Sequence, residues 1–319
     1  MEKIRLALVG CGGRSYLADN AHNPALGAEL VAVADPDPDA LRRYGIAFQE
    51  RKGHSPRAYT DYRAMVEQEK PDGVLVITPD FAHEENACDL LARGVAVYLE
   101  KPLAISVAGC DRILACARDH RSRLMIGHNM RYMIFARKIR ELIDAGAIGE
   151  VKAVWCRHFI NYGGDAYFSS WMSDRSKVNS LLLQKGAHDI DLIHWFGGAY
   201  TTRAVGMGNL SVYGQLPRRP AGQSRSLRYG LDETIWPPSN HHDLNPVIDV
   251  NDHNMVLLQL ASGVQAVYTQ CFYTPDSCRN YTVIGTRGRL ENYGDYCTAD
   301  STVELWNQRH REAVFSLKG

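Results

Sequence analysis

Two stretches of the chain carry side chains able to move a proton near neutral pH. Glu100-Lys101-Pro102 directly follows an apolar run at residues 95–99. The carboxyl end of a parallel strand is where open α/β sheets bind ligands, and a lysine there can orient a substrate hydroxyl and help its proton leave. The second stretch, residues 180–195, reads as a helix that places Gln184, His188 and Asp191 at i, i+4 and i+7 on one face. Histidine titrates close to neutrality, so His188 can accept an alcohol proton as hydride leaves carbon, while Asp191 one turn on holds the ring. As a bare tripeptide Glu-Lys-Pro is uninformative, and a lone helical histidine is more often structural. Position is what singles out Lys101.

Hydride chemistry needs an acceptor, and the start of the chain offers a place for one. Residues 4–9 form an apolar strand that runs at once into Gly10-Cys11-Gly12-Gly13-Arg14-Ser15 and then a short helical segment. Residues without a Cβ at this spacing let backbone N–H groups face a pyrophosphate. Gly10 and Gly12 occupy the first two fingerprint positions, Ser15 stands where a third glycine is usual, and Gly13 adds a flexible position. A second apolar run, 30–34, ends at Asp35, spaced as the acid that takes a ribose hydroxyl. Read without a ligand, the same residues make a tight turn and a helix cap. A carboxylate about 4 Å from a 2′-phosphate, at an effective dielectric of about 20, is repelled by about 4 kcal/mol before screening. NAD is therefore expected over NADP, with Arg14 the residue that could weaken the preference.

The elements that position these groups follow a βαβ rhythm. Helical segments at 61–69 and 83–93 alternate with buried strands at 73–77 and 95–99, which implies a parallel sheet covered on both faces. Residues 1–125 are expected to form this dinucleotide-binding domain. Residues 126–319 are expected to form an α+β domain for substrate binding and oligomerisation. In the second part a helix at 136–145 precedes strands at 151–159, 254–260, 264–272 and 281–284, with Ala261-Ser262-Gly263 as a hairpin turn. Residues 211–250 show no apolar periodicity and read as a functional or mobile loop. Arg218, Arg219, Arg225 and Arg228 there read as a solvated face. The last residues, 315–319, show no terminating element, as in a shortened version of a longer chain.

Composition narrows the function classes. With 36 basic against 36 acidic side chains in 319 residues, no nucleic-acid or membrane partner is expected. The eight cysteines never form a C-x-x-C pair, so neither a zinc site nor a disulfide scaffold is indicated. The N-terminus lacks the features of a secretory signal, and no apolar run is long enough to span a bilayer, so a cytoplasmic location is expected. His241, His242, Asp243, Asp252 and His253 could be read as a metal cluster, but their irregular spacing makes loop polarity the better account, and no metal is expected.

Taken in order, the motifs resemble those of the Gfo/Idh/MocA family (glucose-fructose oxidoreductase and inositol dehydrogenase) over nearly the whole chain. They are Gly10 to Gly13, Asp35, Thr78-Pro79 with His83, Glu100-Lys101-Pro102, Gly127 to Tyr132, Ile148-Gly149-Glu150, Gly186 to Asp191, and Trp195 to Gly198. The resemblance implies an α/β chain with an N-terminal Rossmann domain and a C-terminal α+β domain whose open, mainly antiparallel sheet mediates oligomerisation, as a homodimer or homotetramer. Nicotinamide and a carbohydrate or cyclitol substrate would meet between the domains. It implies that Lys101 is the catalytic lysine and His188 its acid/base partner. Thr78, Pro79, His83 and Glu100 join the cofactor-binding set, and Asn129 and Arg131 lie near nicotinamide or substrate. Family dehydrogenases commonly carry an Asp where this chain has Gln184. A neutral amide can hydrogen-bond a hydroxyl but cannot stabilise imidazolium as a carboxylate would. Either Asp191 or Lys185 compensates, or the substrate and direction differ. Two alternatives share the scaffold: redox-neutral glycoside cleavage with tightly held NAD, and a non-catalytic sugar-responsive regulator.

Overall fold

The computed structural model describes residues 3–225, 235–294, 300–307 and 310–318. Arg228 and Cys297 lie outside these. The chain divides into two compact units, Met1–Gly127 and His128–Gly319.

The first unit runs β1 (Ile4–Val9), α1 (Tyr16–Ala21), β2 (Ala28–Ala34), α2 (Pro38–Lys52), β3 (Arg57–Tyr59), α3 (Tyr62–Glu69), β4 (Gly73–Val76), α4 (His83–Ala92), β5 (Ala96–Leu99), α5 (Val107–Asp119) and β6 (Leu124–Ile126). Its six parallel strands lie in the order β3-β2-β1-β4-β5-β6. Their apolar runs are continuous because alternate residues feed two cores. Ala7, Val9, Val74, Val76, Val97 and Leu99 pack with Leu90 and Ile113 of α4 and α5 on one face, while Leu8, Leu30, Val33 and Leu75 pack with Leu41 and Phe48 of α2 on the other. Each fully buried large side chain contributes about 1.5–3 kcal/mol of transfer free energy. The side chains of Asp37, Asp61 and Ser106 cap α2, α3 and α5. The order reverses between β1 and β4, the crevice where doubly wound sheets take a dinucleotide.

The second unit contains α6 (Ile134–Asp144), β7 (Val151–Phe159), α7 (Arg175–Val178), α8 (Leu181–Gly197), β8 (Thr201–Asn209), β9 (His253–Leu260), β10 (Gln265–Cys271), β11 (Cys278–Gly285), β12 (Gly288–Tyr293), β13 (Asp300–Asn307) and β14 (His310–Lys318). The eight strands form one sheet, β14-β13-β12-β11-β7-β10-β9-β8, antiparallel throughout except for the parallel pair β7 and β10. Helices α6 and α8 contribute to the core on one face. The turn Ala261-Ser262-Gly263 does join β9 to β10, with Gly263 at φ +84°.

The structure departs from three expectations. The last described residues belong to a regular element, the strand β14, paired along β13. The 211–250 region, where described, is irregular but packed: Tyr213, Leu244, Ile248 and Val250 form a small core with Phe168 and Phe272. Among the described arginines of that region Arg218 is exposed, as on a solvated face, whereas Arg219 and Arg225 are half-buried. Arg219 donates to the carbonyls of Ser169 and Asp243, both at 2.9 Å, Arg218 to that of Gly214 and Arg225 to that of Asp165. Irregular backbone leaves carbonyls without ladder partners, and guanidinium groups supply the donors. Among the described residues, no helix is long and apolar enough to cross a membrane.

A histidine pair ties α1 and the loop after α2 to β2. His22 Nδ1 accepts from the Leu30 N–H at 3.1 Å, His54 Nε2 lies 3.1 Å from the Leu30 carbonyl, and the rings stack at 5.7 Å. Burial, with His54 and Lys52 nearby, holds His22 below the ordinary imidazole value, against the opposite pull of Glu29 and Asp19. The unfolded chain therefore takes up this proton first, so the stabilisation is present above pH about 6.5 and is lost as pH falls below it. Urea midpoints measured from pH 7.5 down to pH 5 (roughly the window of the imidazole titration) should decline. His22→Asn, which keeps an acceptor but cannot titrate, should decline less.

Candidate active site

In the first unit the predicted residues gather at the carboxyl ends of β1, β2, β4 and β5. Gly10 has φ +98°, and a Cβ there would lie 2.6 Å from the Ile77 carbonyl oxygen, so glycine is required for the turns after β1 and β4 to abut. A Cβ on Gly12 would meet nothing within 4 Å, which leaves open space over its backbone. Gly13, Arg14 and Ser15 complete the turn, the Ser15 N–H bonding the Gly12 carbonyl at 3.0 Å. Asp35 accepts from the N–H of Cys11 at 2.8 Å and of Asp37 at 2.9 Å, so it braces the glycine turn from the end of β2. Burial and Asp35 push the Cys11 thiol up to about 12, which removes it as a nucleophile. A bare, open glycine turn braced by a strand-end carboxylate fits a dinucleotide's pyrophosphate and ribose.

The turns after β4 and β5 are fastened together. His83 is fully buried, its Nδ1 2.7 Å from the Pro102 carbonyl and its Nε2 2.9 Å from that of Thr78. Both ring nitrogens face backbone, so His83 ties the turn that carries Lys101 to the turn that carries Pro79. Burial holds this imidazole below its ordinary value. Thr78 donates its hydroxyl to Asn86 at 3.0 Å. Glu100 is buried, takes Arg14 at 2.9 Å and accepts from the Lys101 N–H at 3.1 Å. Arg14 is thus paired with a buried carboxylate that needs its charge. Lys101 is 7% exposed.

In the second unit, Ser180 caps α8 and Gly198 ends it at φ +69°. Gln184 and His188 are buried on this helix. Asp191 takes a bidentate pair from Arg131, 2.7 Å to each oxygen. Its carboxylate is therefore engaged by a guanidinium. Arg131 belongs to the turn Asn129–Tyr132, where the side-chain oxygen of Asn129 is buried without a hydrogen-bond partner among the described residues. Lys185 donates to the Tyr162 hydroxyl at 3.1 Å and lies over the rings of Tyr162 and Tyr167.

Sequence reasoning passed over the group that anchors α8. Asp189 is fully buried and accepts from Tyr268 at 3.0 Å and from Tyr281, with His158 Nδ1 and Arg279 Nε each at 3.1 Å. Burial opposes its ionisation, but Arg279 and His158 hold it far below the usual carboxylate range. Burial and Arg279 push His158 down to about 3, so the ring is neutral. A signal was present: Arg279 and Tyr281 alternate on one face of a strand, where a charge signals a buried partner. Of the residues suggested as a metal cluster, Asp252 and His253 meet at 3.4 Å, and each has further partners. Asp252 accepts from the N–H groups of Ser211, Val212 and Tyr213, His241 packs against Asp165 and Gly164, and His253 lies against Tyr273. Among the described residues, no three His, Cys, Asp or Glu side chains converge to hold an ion.

An open glycine turn at the switch point of a six-stranded parallel sheet, with a buried Lys at the next strand end, defines a dinucleotide-dependent oxidoreductase. The model for an oxidoreductase family with an NAD-binding Rossmann fold, GFO/IDH/MocA, matches residues 4–128, and that for the GFO/IDH/MocA C-terminal domain matches residues 136–291. The chain belongs to the Gfo/Idh/MocA family of NAD-binding oxidoreductases. It is 26% identical to inositol 2-dehydrogenase of Burkholderia cenocepacia over 89% of this chain and 72% of that protein. It is 30% identical to inositol 2-dehydrogenase of Ralstonia nicotianae over 61% of this chain and 55% of that protein. Its fold matches the aldose-aldose oxidoreductase from Caulobacter crescentus with a TM-score of 0.74 at 20% identity, over 98% of this chain and 84% of that one.

Replacing Asp189 by Asn leaves the Arg279 charge buried without its counter-ion, and should cost about 3–5 kcal/mol in urea unfolding. The double variant Asp189→Asn with Arg279→Met should recover part of that loss; no recovery would mean the two side chains act independently.

Proposed function

We propose that the protein oxidises or reduces a carbinol carbon of a sugar, glycoside or cyclitol, with Lys101 and His188 moving the hydroxyl proton. The observation that carries this is the nearly buried Lys101 at the carboxyl end of β5, in a unit whose family binds NAD. Bound NAD, held by Gly10, Gly12, Gly13, Ser15 and Asp35 with Thr78 and Pro79 close by, supplies the hydride acceptor. Lys101 orients the substrate hydroxyl. His188 acts with Lys101 in moving the hydroxyl proton, and Gln184, Lys185, Asn129 and Arg131 bind or orient the substrate or the nicotinamide end. The names of the relatives, inositol 2-dehydrogenases and an aldose-aldose oxidoreductase, support a polyhydroxy ring as the substrate class. The seven described cysteines are unbridged, which suits a cytoplasmic enzyme.

The decisive assay follows nicotinamide absorbance with NAD and a panel of inositols, aldoses and glycosides. Lys101→Ala and His188→Ala should each lower kcat/KM by about 10²–10⁴ while NAD binding persists. Product formation without net NADH would favour redox-neutral cleavage, and NAD binding without turnover on any substrate a regulator. Undiminished rates in both variants would remove these two residues from the mechanism.

The partner we propose is a second copy of the chain on the open sheet face. Register places Val205, Leu257, Val267 and Trp155 in one row across β8, β9, β10 and β7, with Met207 and Met255 in the next. Leu257 is 59% and Met207 74% exposed. A contiguous apolar face of this kind marks an interface. Leu257→Lys should lower the molecular mass in sedimentation equilibrium to that of a smaller assembly; a wild-type monomer would refute the interface.

A further inference from the structure

Asp80 opens the short turn Asp80–Ala82, directly after Pro79 and at the carboxyl end of β4, next to the strand that delivers Lys101. It is 5% exposed, and its Oδ2 is buried with no hydrogen-bond partner among the described residues. A buried carboxylate oxygen with no donor is expensive. The charged groups that face Asp80 are Lys101 and Glu100, from the turn after β5. Glu100 is neutralised in turn by Arg14 of the glycine turn, and the nearby His83 is held neutral by burial. This leaves the Lys101 ammonium as the cation Asp80 answers to.

We infer that Asp80 is the proton partner of Lys101, a positioning and relay residue that takes up the proton Lys101 passes on when the substrate hydroxyl is oxidised. The inference rests on the catalytic role of Lys101 proposed above. As the carbinol carbon gives up hydride with its electron pair, Lys101 Nζ passes one proton by way of one water to Asp80 Oδ2 and accepts the hydroxyl proton. The lysine ends as it began and the carboxylate ends as a carboxylic acid. In reduction the proton returns by the same route. The electrostatic surroundings suit a relay. Burial raises Asp80 to about 7, the like charge of Glu100 adds to the rise, and Lys101 opposes it. Proton relay works best when the acid and base forms are close in free energy at the working pH. Such a group would also relieve the demand on Gln184, which cannot take a proton.

Two measurements on the full-length protein test this. The first needs no substrate: infrared difference spectra with stepped pH should show a protonated-carboxyl C=O band titrating near neutrality, absent in Asp80→Asn. In Lys101→Met the same titration should move to higher pH, because the opposing cation is gone. The absence of a carboxyl titrating in this range, or a titration unmoved by Lys101→Met, would overturn the pairing. The second is turnover. Oxidation by the wild type should rise as pH passes through about 7, the value given by Asp80 ionisation. Asp80→Asn should flatten that rise and lower kcat by about 10- to 100-fold, with KM little changed. Asp80→Glu should restore part of the pH dependence. An unchanged profile in Asp80→Asn would overturn the relay even if the infrared titration is present. A wild type inactive on every substrate would refute the dehydrogenase reading, and the infrared arm would still decide whether Asp80 and Lys101 are paired.

Discussion

One buried ion pair organises the second unit. Asp189 and Arg279, both buried, join α8 to β11, and His158 of β7, Tyr268 of β10 and Tyr281 of β11 converge on the same carboxylate. Removing two charges from water is recovered only when every remaining lone pair is answered, which demands one register of α8 over three adjacent strands. His188 immediately precedes the anchor, and Gln184 and Asp191 lie five residues before and two after it. The presentation of all three is therefore set by a group that does no chemistry itself. The neutral state of His158 follows from the same arrangement, since a second buried cation beside Arg279 would have no anion to balance it.

The first unit obeys a different constraint, the close approach of two turns. Gly10 has to be glycine because the chain leaving β4 passes within 2.6 Å of where its Cβ would be. That contact brings the dinucleotide turn up against Ile77 and Thr78, and His83 then ties Thr78 to Pro102. Glu100, Lys101 and Asp80 are all buried here, and Arg14 contributes the second positive charge. Such a cluster costs folding free energy, the usual mark of a site selected for reactivity over stability.

Much of this was legible from the chain alone, for identifiable reasons. The parallel sheet announced itself because both its faces are covered, which makes apolar runs unbroken, and because capping residues and glycine turns punctuate them. Strands β7, β9 and β10 showed apolar patterning because one face lies on the core. Strand β8 escaped detection because it is an edge with eight of its nine residues exposed, so no burial pattern is imposed on it. Strands β12 to β14 send Leu290, Val303 and Leu305 into the core, but they are joined to β11 and to one another by pairing, a non-local property that local composition does not record.

At the site, residue type and spacing by themselves determined the glycine turn, Asp35, Lys101 and the helix face of Gln184, His188 and Asp191, because each depends on local periodicity or on a position at a strand end. Tertiary structure decided the pairings. Arg14 takes Glu100, Arg131 takes Asp191, His83 is spent on two carbonyls, and Asp189 becomes the anchor of α8. Arg131 and Asp191 are 60 residues apart in the chain, and Arg14 and Glu100 are 86 apart. Which charge meets which counter-charge follows from burial and chain path, and a buried carboxylate such as Asp80 is indistinguishable in sequence from one that caps a turn in water.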